Sequence, residues 1–361
     1  MKIIKLGEPK VIMDNPHSRH NYFGWPTVTR LQNGKIAVVA SGFRLRHVCP
    51  FGKTVISYSE DEGESYTRPA PIIDTPLDDR DGGIMTFGEK GVIVTSFNNT
   101  VNFQRKHNSS DPYALAYLDT VTPESESKYL ASNFRISQDC GVTFGELHKS
   151  PVTSPHGPLQ LSDGTILWVG RTFSSENIKV EGADGIKAYK INLDGSCEYL
   201  GEIENISEDG VEFISCEPHT VELDDGRLIT HIRVQYYKGN APIFTIFQSV
   251  SDDRGRTWSK PRQILERKGG APSHIMKHSS GVLVATYGYR EAPYGIRAMF
   301  SSDGGDSWDT DHDLYVNGVS LDLGYPSTVE LSDRSLLTVF YAHPSKDEPA
   351  VIMQQRWKFE K

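Results

Sequence analysis

Long apolar runs are missing from this 361-residue sequence. A membrane-spanning helix takes roughly 18 or more consecutive apolar residues, and no stretch approaches that length. The N-terminal segment MKIIKLGEPKVIMDNPH has one short apolar run, which charged residues interrupt and which no small-residue cleavage site follows. It lacks the features of a signal peptide, and we expect a protein that does not associate with membranes.

Cysteine is scarce, and its spacing suggests no disulfide framework. The four cysteines form no CxxC pair: Cys49, Cys140, Cys197 and Cys216. Isolated thiols in the reduced state are the simplest interpretation, and they predict a cytoplasmic location.

An excess of positive charge is also lacking. The formal net charge is -9 at pH 7, which argues against nucleic acid as a partner. A local group of arginines can still bind a small anion, because the total charge does not set the sign of every local field. The sequence has no nucleotide-binding glycine loop, no HExxH motif and no cluster of His and Cys, so we expect neither a cofactor nor a metal ion.

What the sequence does contain is a repeated hairpin pattern. Each unit has a polar or proline-containing entry, alternating residues, a tight turn that usually contains glycine, and an apolar run. Six segments fit this description: 25–42, 82–97, 156–171, 217–233, 271–288 and 325–341. Hairpins at intervals of roughly 55–75 residues favour six separate sheets, and a closed ring of sheets is a propeller. A solenoid is the alternative, but the large loops and the lack of a strict short period disfavour it.

A second repeat, S-x-D-x-G-x-[ST]-aromatic, occurs at residues 59–66, 137–144, 251–258 and 301–308. It describes a turn in which the Asp carboxylate accepts backbone N–H bonds and the aromatic ring packs on the sheet. This is the Asp-box, and with it nearly the whole chain resembles the sialidase (neuraminidase) superfamily. The resemblance implies an all-β fold, a six-bladed β-propeller with Asp-box hairpin turns. We predict a single domain over residues 1–361, with an inserted loop at 103–133.

The hairpin spacing predicts which side chains meet at one end of the ring. In a hairpin, the start of the first strand lies beside the end of the second. Counting outward from the turn glycine places Glu217 beside Arg233. The same count pairs Tyr325 with Tyr341, Trp25 with Ser41 and, approximately, His156 with Arg171. If all innermost strands start on one face, these residues converge on the central opening, where propellers bind ligands.

The resemblance implies roles for three of these residues. In the superfamily, a Glu that opens a fourth-blade strand activates a Tyr that opens a sixth-blade strand, and an Arg closing the Glu hairpin grips the substrate carboxylate. Glu217, Tyr325 and Arg233 occupy these places. The chemistry is coherent, because a phenol with a pKa near ~10 attacks well at neutral pH only when a base takes its proton. Sialidases, with a Tyr nucleophile, are the exception to the two-carboxylate rule for glycosidases.

The arginines depart from the superfamily pattern in one place. The early Arg-Ile-Pro motif appears here as Gly-Trp-Pro at 24–26, so the first arginine of the triad is missing from its place, and Arg44 and Arg46 are the candidates to substitute for it. The remaining arginine is Arg290 or Arg297, and we prefer Arg290 because it lies just past the end of its hairpin.

The acid that protonates the leaving group is displaced as well. The loop before the first Asp-box, RLRHVCPFGKTVIS at 44–57, contains no carboxylate. The nearest candidates are Asp79 and Asp81 in PLDDRDGG, and His47 is another candidate acid. A charged turn held by Asp–Arg contacts explains the same PLDDRDGG segment equally well.

These patterns predict an exo-acting glycoside hydrolase for a terminal, acidic sugar such as sialic acid or a related sugar. Tyr325 and Glu217 would act with Asp79 or Asp81 as the acid. The expected substrate-binding residues are Arg233, Arg290, Arg44, His156, Trp25 and Arg171. The alternatives are a carbohydrate-binding propeller without catalysis, a protein-interaction propeller, and elimination from a uronate on the same fold. The oligomeric state is left open.

Overall fold

The computed structural model describes residues 1–173, 185–208, 210–211, 213–239, 241–266 and 269–360. Within these ranges the chain forms six antiparallel sheets, and the all-β, six-bladed propeller expected from the sequence is confirmed. None of the helices in the described ranges combines the length and the apolar character that crossing a membrane requires.

The strands follow one another blade by blade. Two N-terminal strands come first, β1 (Lys2–Lys5) and β2 (Lys10–Met13). Blade one contains β3 (Tyr22–Arg30), β4 (Ile36–Arg44), β5 (Lys53–Ser59) and β6 (Ala70–Ile73). Blade two contains β7 (Arg80–Phe87), β8 (Gly91–Phe97), β9 (Ser132–Ser137) and β10 (His148–Ser150). Blade three contains β11 (Val152–Thr153), β12 (Leu159–Gln160), β13 (Ile166–Thr172), β14 (Ile186–Ile191) and β15 (Cys197–Ile203).

The second half of the chain repeats this plan. Blade four contains β16 (Ile214–Glu222), β17 (Leu228–Lys238), β18 (Ala241–Ser251) and β19 (Arg262–Gln263). Blade five contains β20 (Gly270–Lys277), β21 (Leu283–Tyr289), β22 (Tyr294–Ser301) and β23 (Asp309–Gly318). Blade six contains β24 (Gly324–Glu330), β25 (Leu336–Ala342) and β26 (Val351–Glu360), and both N-terminal strands pair with β26. The ring therefore closes through a sheet built from both ends of the chain.

The core lies between the blades. The described hydrophobic core divides into six clusters, each joining two neighbouring sheets; Val38 and Val339, for example, belong to the cluster between blades one and six. A strand covered on both faces needs apolar residues in succession, which explains the fully buried run IAVVA at 36–40. The innermost strands β3, β7, β16, β20 and β24 contact their ring neighbours and surround a central channel.

The Asp-boxes follow the third strands of blades one, two, four and five. In the first box, Asp61 Oδ1 accepts the backbone N–H of Ser65 at 2.8 Å, and Ser59 Oγ accepts that of Gly63 at 2.9 Å. Gly63 has a φ of 86°, which a residue with a side chain rarely adopts. The boxes are thus turns on the outer part of the blades, and they contain none of the predicted site residues.

The insertion predicted at 103–133 lies between β8 and β9, and it is helical where a loop was expected. It contains α1 (Val101–His107), α2 (Pro112–Leu118) and α3 (Pro123–Tyr129). Thr100, Asp111 and Thr122 cap their N-termini, and the last two helices begin with proline.

These helices pack on the loop between β4 and β5. The Phe51 ring lies 4.8 Å from the ring of Tyr113 and 4.7 Å from that of Tyr117, measured between centroids. Arg46 Nη1 donates to Asn108 Oδ1 at 3.0 Å. The insertion therefore holds the segment that carries His47.

Candidate active site

Four side chains reach the channel opening from the same local backbone conformation. Trp25, Asp81, Glu217 and Tyr325 each occupy the entry position of an innermost strand, with φ between 48° and 54°. At each entry the strand ladder shifts by one residue, so that two residues oppose one in a β-bulge. A non-glycine residue in this conformation costs about 1–2 kcal/mol. The four entry residues lie at one end of the ring, at an opening that we call the mouth.

The bulge modifies the predicted register. The ladder pairs Arg233 with Cys216, and Glu217 is the extra residue that follows. The side chains of Glu217 and Arg233 nevertheless meet, because the bulged residue turns toward its own hairpin partner. Arg233 Nη1 lies 2.6 Å from Glu217 Oε2.

Tyr325, which enters from blade six, completes this contact. Its hydroxyl donates to Glu217 Oε1 at 2.5 Å and accepts from Arg233 Nη1 at 3.2 Å. Burial alone would raise the pKa of Glu217, but Arg233 and the Tyr325 hydroxyl hold that pKa below its usual value. Burial, and next the charge of Glu217, raise the pKa of Tyr325. The phenol therefore holds its proton at neutral pH, and that proton points at a carboxylate.

Further arginines surround this contact. The Arg290 guanidinium lies 5.6 Å from the centroid of the Tyr325 ring and donates to the carbonyl of Leu323. Burial raises the pKa of the neighbouring Cys216 thiol to about 11, and three arginines are close enough to oppose that rise: Arg233, Arg171 and Arg290. Arg290 therefore lies beside Tyr325 at the mouth, and Arg171 lies near the end of β13. Arg297, the alternative to Arg290, is instead paired with Asp311 and Asp313.

The two predicted acids lie in different environments. Burial raises the pKa of Asp81 to about 6, against the pull of Arg80 and with the help of the Glu217 charge. Burial also raises the pKa of Asp79, to about 7, but its carboxylate accepts from the backbone and hydroxyl of Thr75. The charge of Asp81 helps to raise the pKa of Tyr325, whereas Asp79 faces the turn that precedes β7.

Arg80 is a mouth residue that the sequence reasoning missed. Its guanidinium lies 4.2 Å from the Trp25 ring centroid and 3.4 Å from Asp81 Oδ1. Its position one residue before an entry residue was the signal that could have found it. Arg44, which was predicted, is fully buried: it forms two bonds to Asp78, at 2.5 and 3.0 Å, and lies 5.0 Å from the Trp25 ring centroid.

His156 lies deeper in the central channel. Its ring contacts those of His219 and His274, with centroids 5.3 and 5.1 Å away, and its Nδ1 is 3.2 Å from the hydroxyl of Thr27. All three imidazoles border a cavity of about 440 Å³ beyond the entry residues. No group of three or more His, Cys, Asp or Glu suited to a metal ion was found in the described part of the chain.

A second cluster borders the mouth beside Trp25, and its centre, Asp322, was also missed. The Asp322 carboxylate accepts from Tyr22 at 2.9 Å and from Tyr341 at 3.0 Å. It also binds His47 Nδ1 at 2.9 Å and His343 Nε2 at 3.0 Å. These donors hold the pKa of Asp322 far below its usual value, although burial opposes them. The carboxylate is ionised, and it accepts hydrogen bonds from side chains of blades one and six.

Comparisons with known proteins agree with this fold. Residues 88–339 match the family of BNR repeat-like domains. A crystal structure of a protein of unknown function from Dyadobacter fermentans is 18% identical, with a TM-score of 0.76 and 99% of each chain covered. The NanB sialidase of Streptococcus pneumoniae is 14% identical, with a TM-score of 0.66, over 98% of this chain and 71% of that one.

A third similar structure is the Trypanosoma rangeli sialidase, which is 14% identical with a TM-score of 0.62. The match covers 98% of this chain and 58% of the Trypanosoma rangeli chain. A search among curated proteins gives no match.

Proposed function

The chain belongs to the family of BNR repeat-like domains and has the propeller fold of the sialidases, and on that premise we propose that it is a glycoside hydrolase for a terminal, acidic sugar. The observation that carries the proposal is the contact among Tyr325, Glu217 and Arg233 at the mouth. We also propose that residues 1–361 act as one domain, since β1 and β26 share blade six.

In the first step, Tyr325 attacks the anomeric carbon. Glu217 Oε1, 2.5 Å from the hydroxyl, takes the phenolic proton while the Oη–carbon bond forms and the glycosidic bond breaks. A neutral phenol with an adjacent base suits a substrate carbon that already bears a carboxylate, since no second anion has to approach it. The Arg233 charge keeps Glu217 ionised and ready to accept that proton.

The leaving oxygen takes its proton from Asp81. Because its pKa is raised to about 6, Asp81 is protonated in a larger fraction of molecules near neutrality than an ordinary carboxyl group. Asp79 is assigned no catalytic role, since its bonds to Thr75 direct it away from the mouth.

Arginines bind the acidic group of the sugar. Arg290 has no carboxylate within ion-pair distance among the described residues, so its charge is available to a ligand. The buried Nε of Arg233 has no hydrogen-bond partner in the described ranges. Arg80 adds a third cation beside Trp25, in place of the buried Arg44. Trp25 and Arg171 complete the proposed lining of the mouth, whereas His156 lies deeper in the channel.

Hydrolysis of a panel of fluorogenic α- and β-glycosides, headed by an α-sialoside, tests the proposal. Tyr325→Phe and Glu217→Ala should each abolish release from the same sugar that the wild type cleaves. Tyr199→Phe is the matched control, because that tyrosine is 51% exposed on β15 and should leave the rate unchanged. Sugar binding by calorimetry without release would overturn hydrolysis in favour of a carbohydrate-binding propeller.

A further inference from the structure

The protons around Asp322 can be assigned from its partners. An ionised carboxylate only accepts hydrogen bonds, so His47 Nδ1, at 2.9 Å, must carry a hydrogen. The neutral imidazole of His47 then has its lone pair on Nε2. No described residue forms a hydrogen bond with this Nε2, and the side chain is 47% exposed. His47 therefore presents a fixed, water-accessible base at the mouth.

His343 has the opposite protonation. Its Nε2 faces Asp322 at 3.0 Å and its Nδ1 faces the carbonyl of Glu348 at 2.7 Å, so both ring nitrogens must donate. The bond to Asp322 is the main cause that raises the pKa of His343. His343 is thus a cation that balances Asp322, and the carboxylate orients His47 without forcing a second proton onto it.

The other groups that face His47 also keep it neutral. Partial burial is the largest cause that lowers the pKa of His47, and the positive charges of Arg80 on β7 and Arg44 on β4 also lower it, against the contact with Asp322. The Tyr22 hydroxyl lies 3.3 Å from Nδ1, but Asp322 also accepts from that hydroxyl.

His47 and the proposed nucleophile pack against the same indole ring. The Trp25 indole contacts both rings, with centroids 4.9 Å from His47 and 6.4 Å from Tyr325, each nearly perpendicular to it. Asp81, by contrast, has a side chain only 8% exposed and is held by Arg80. Water from solvent reaches His47 more readily than it reaches Asp81.

We propose that His47, positioned by Asp322, is the base that activates the water which releases the sugar from Tyr325. This inference rests on the proposed function. The water proton passes to Nε2, the water oxygen bonds to the anomeric carbon, and the carbon–Oη bond breaks with its electron pair going to Tyr325. The phenolic oxygen recovers its proton from Glu217. His47 then loses its proton to solvent, from which Asp81 is reprotonated, so the protons balance.

Pre-steady-state kinetics with a fluorogenic glycoside test this role, since a good leaving group makes the water step limiting. His47→Asn keeps a donor for Asp322 but removes the base. It should release one equivalent of fluorophore in the first turnover at the wild-type rate and then turn over about 100-fold more slowly. Adding imidazole to His47→Ala should restore the steady-state rate. The control His107→Ala, on the exposed surface of α1, should match the wild type.

The positioning role of Asp322 is tested separately, through the pH dependence of kcat. Asp322→Asn removes the charge that raises the pKa of His47, so the acidic limb of the kcat profile should move to lower pH. An unchanged steady-state rate in both His47 variants, or a first turnover slowed as much as the later ones, would overturn the inference. Failure of the proposed function looks different, because the wild type would then release no fluorophore.

Discussion

Replacing Glu217 with Gln should damage both stability and activity, and the structure gives the size of each effect. Gln has nearly the same shape, but it removes the negative charge that Arg233 contacts at 2.6 Å. The two side chains are only 18% and 12% exposed, so solvent compensates little. Breaking a buried ion pair costs 3–5 kcal/mol, and with this partial exposure we expect a loss of about 3 kcal/mol.

Tyr325→Phe separates the two effects. It leaves the pair between Glu217 and Arg233 intact and removes the two hydrogen bonds of the hydroxyl, so unfolding should become easier by only about 1–2 kcal/mol. Activity should be lost in both variants. A surface control is Glu64→Gln, whose partners are Lys10 and Arg356 and whose side chain is 65% exposed; it should cost less than about 1 kcal/mol.

Urea unfolding followed by tryptophan fluorescence measures the free energies, with hydrolysis assayed on the same preparations. If Glu217→Gln unfolded within about 0.5 kcal/mol of the wild type, the pair would not be coupled as the geometry implies. If it kept a tenth or more of the activity, Glu217 would not be the base for Tyr325.

Other perturbations have equally defined outcomes. Folding raises the pKa of Asp79 to about 7, so its contribution to stability is complete below about pH 4 and is lost as the pH rises through about 7. Asp79→Asn, measured by thermal unfolding, should therefore improve relative to the wild type between pH 5 and pH 8, and a constant difference would contradict the assignment. Arg80→Met should raise KM for an acidic sugar about tenfold and spare a neutral one, whereas equal loss for both would give Arg80 a structural role. Asp303→Ala removes the carboxylate that binds Ser301 and Ser307 in the fourth Asp-box, and it should lower the free energy of unfolding by about 1 kcal/mol without changing kcat.

Much of this architecture could be predicted because the blades of a propeller repeat one hairpin pattern. The turn spacing indicated six hairpins, and the same count placed Glu217, Arg233 and Tyr325 together at one end. The one-residue bulge at each entry could not be read from spacing, since a hairpin count assumes an unbroken ladder. The bulge is what turns the entry side chain toward the channel.

Residues outside the repeat were harder to place. Asp79 and Asp81 are near neighbours in sequence, and only packing shows that one faces Thr75 and the other the mouth. Asp322 lies in a connection between blades, where no periodic signal marks it. The helices of the insertion did leave a local signal, because a capping residue followed by proline begins both α2 and α3.

The strained entry positions also bear on how such a propeller can change its chemistry. At four blades, one non-glycine residue stands in the left-handed conformation: a tryptophan, an aspartate, a glutamate and a tyrosine. The backbone cost is about the same for most side chains, so exchanging one for another alters the mouth while leaving the ladder and the inter-blade clusters in place. These four entries are thus positions at which one side chain can replace another without a change of fold. Propellers of this kind can therefore come to act on different substrates through single substitutions at these positions, while the rest of the fold stays the same.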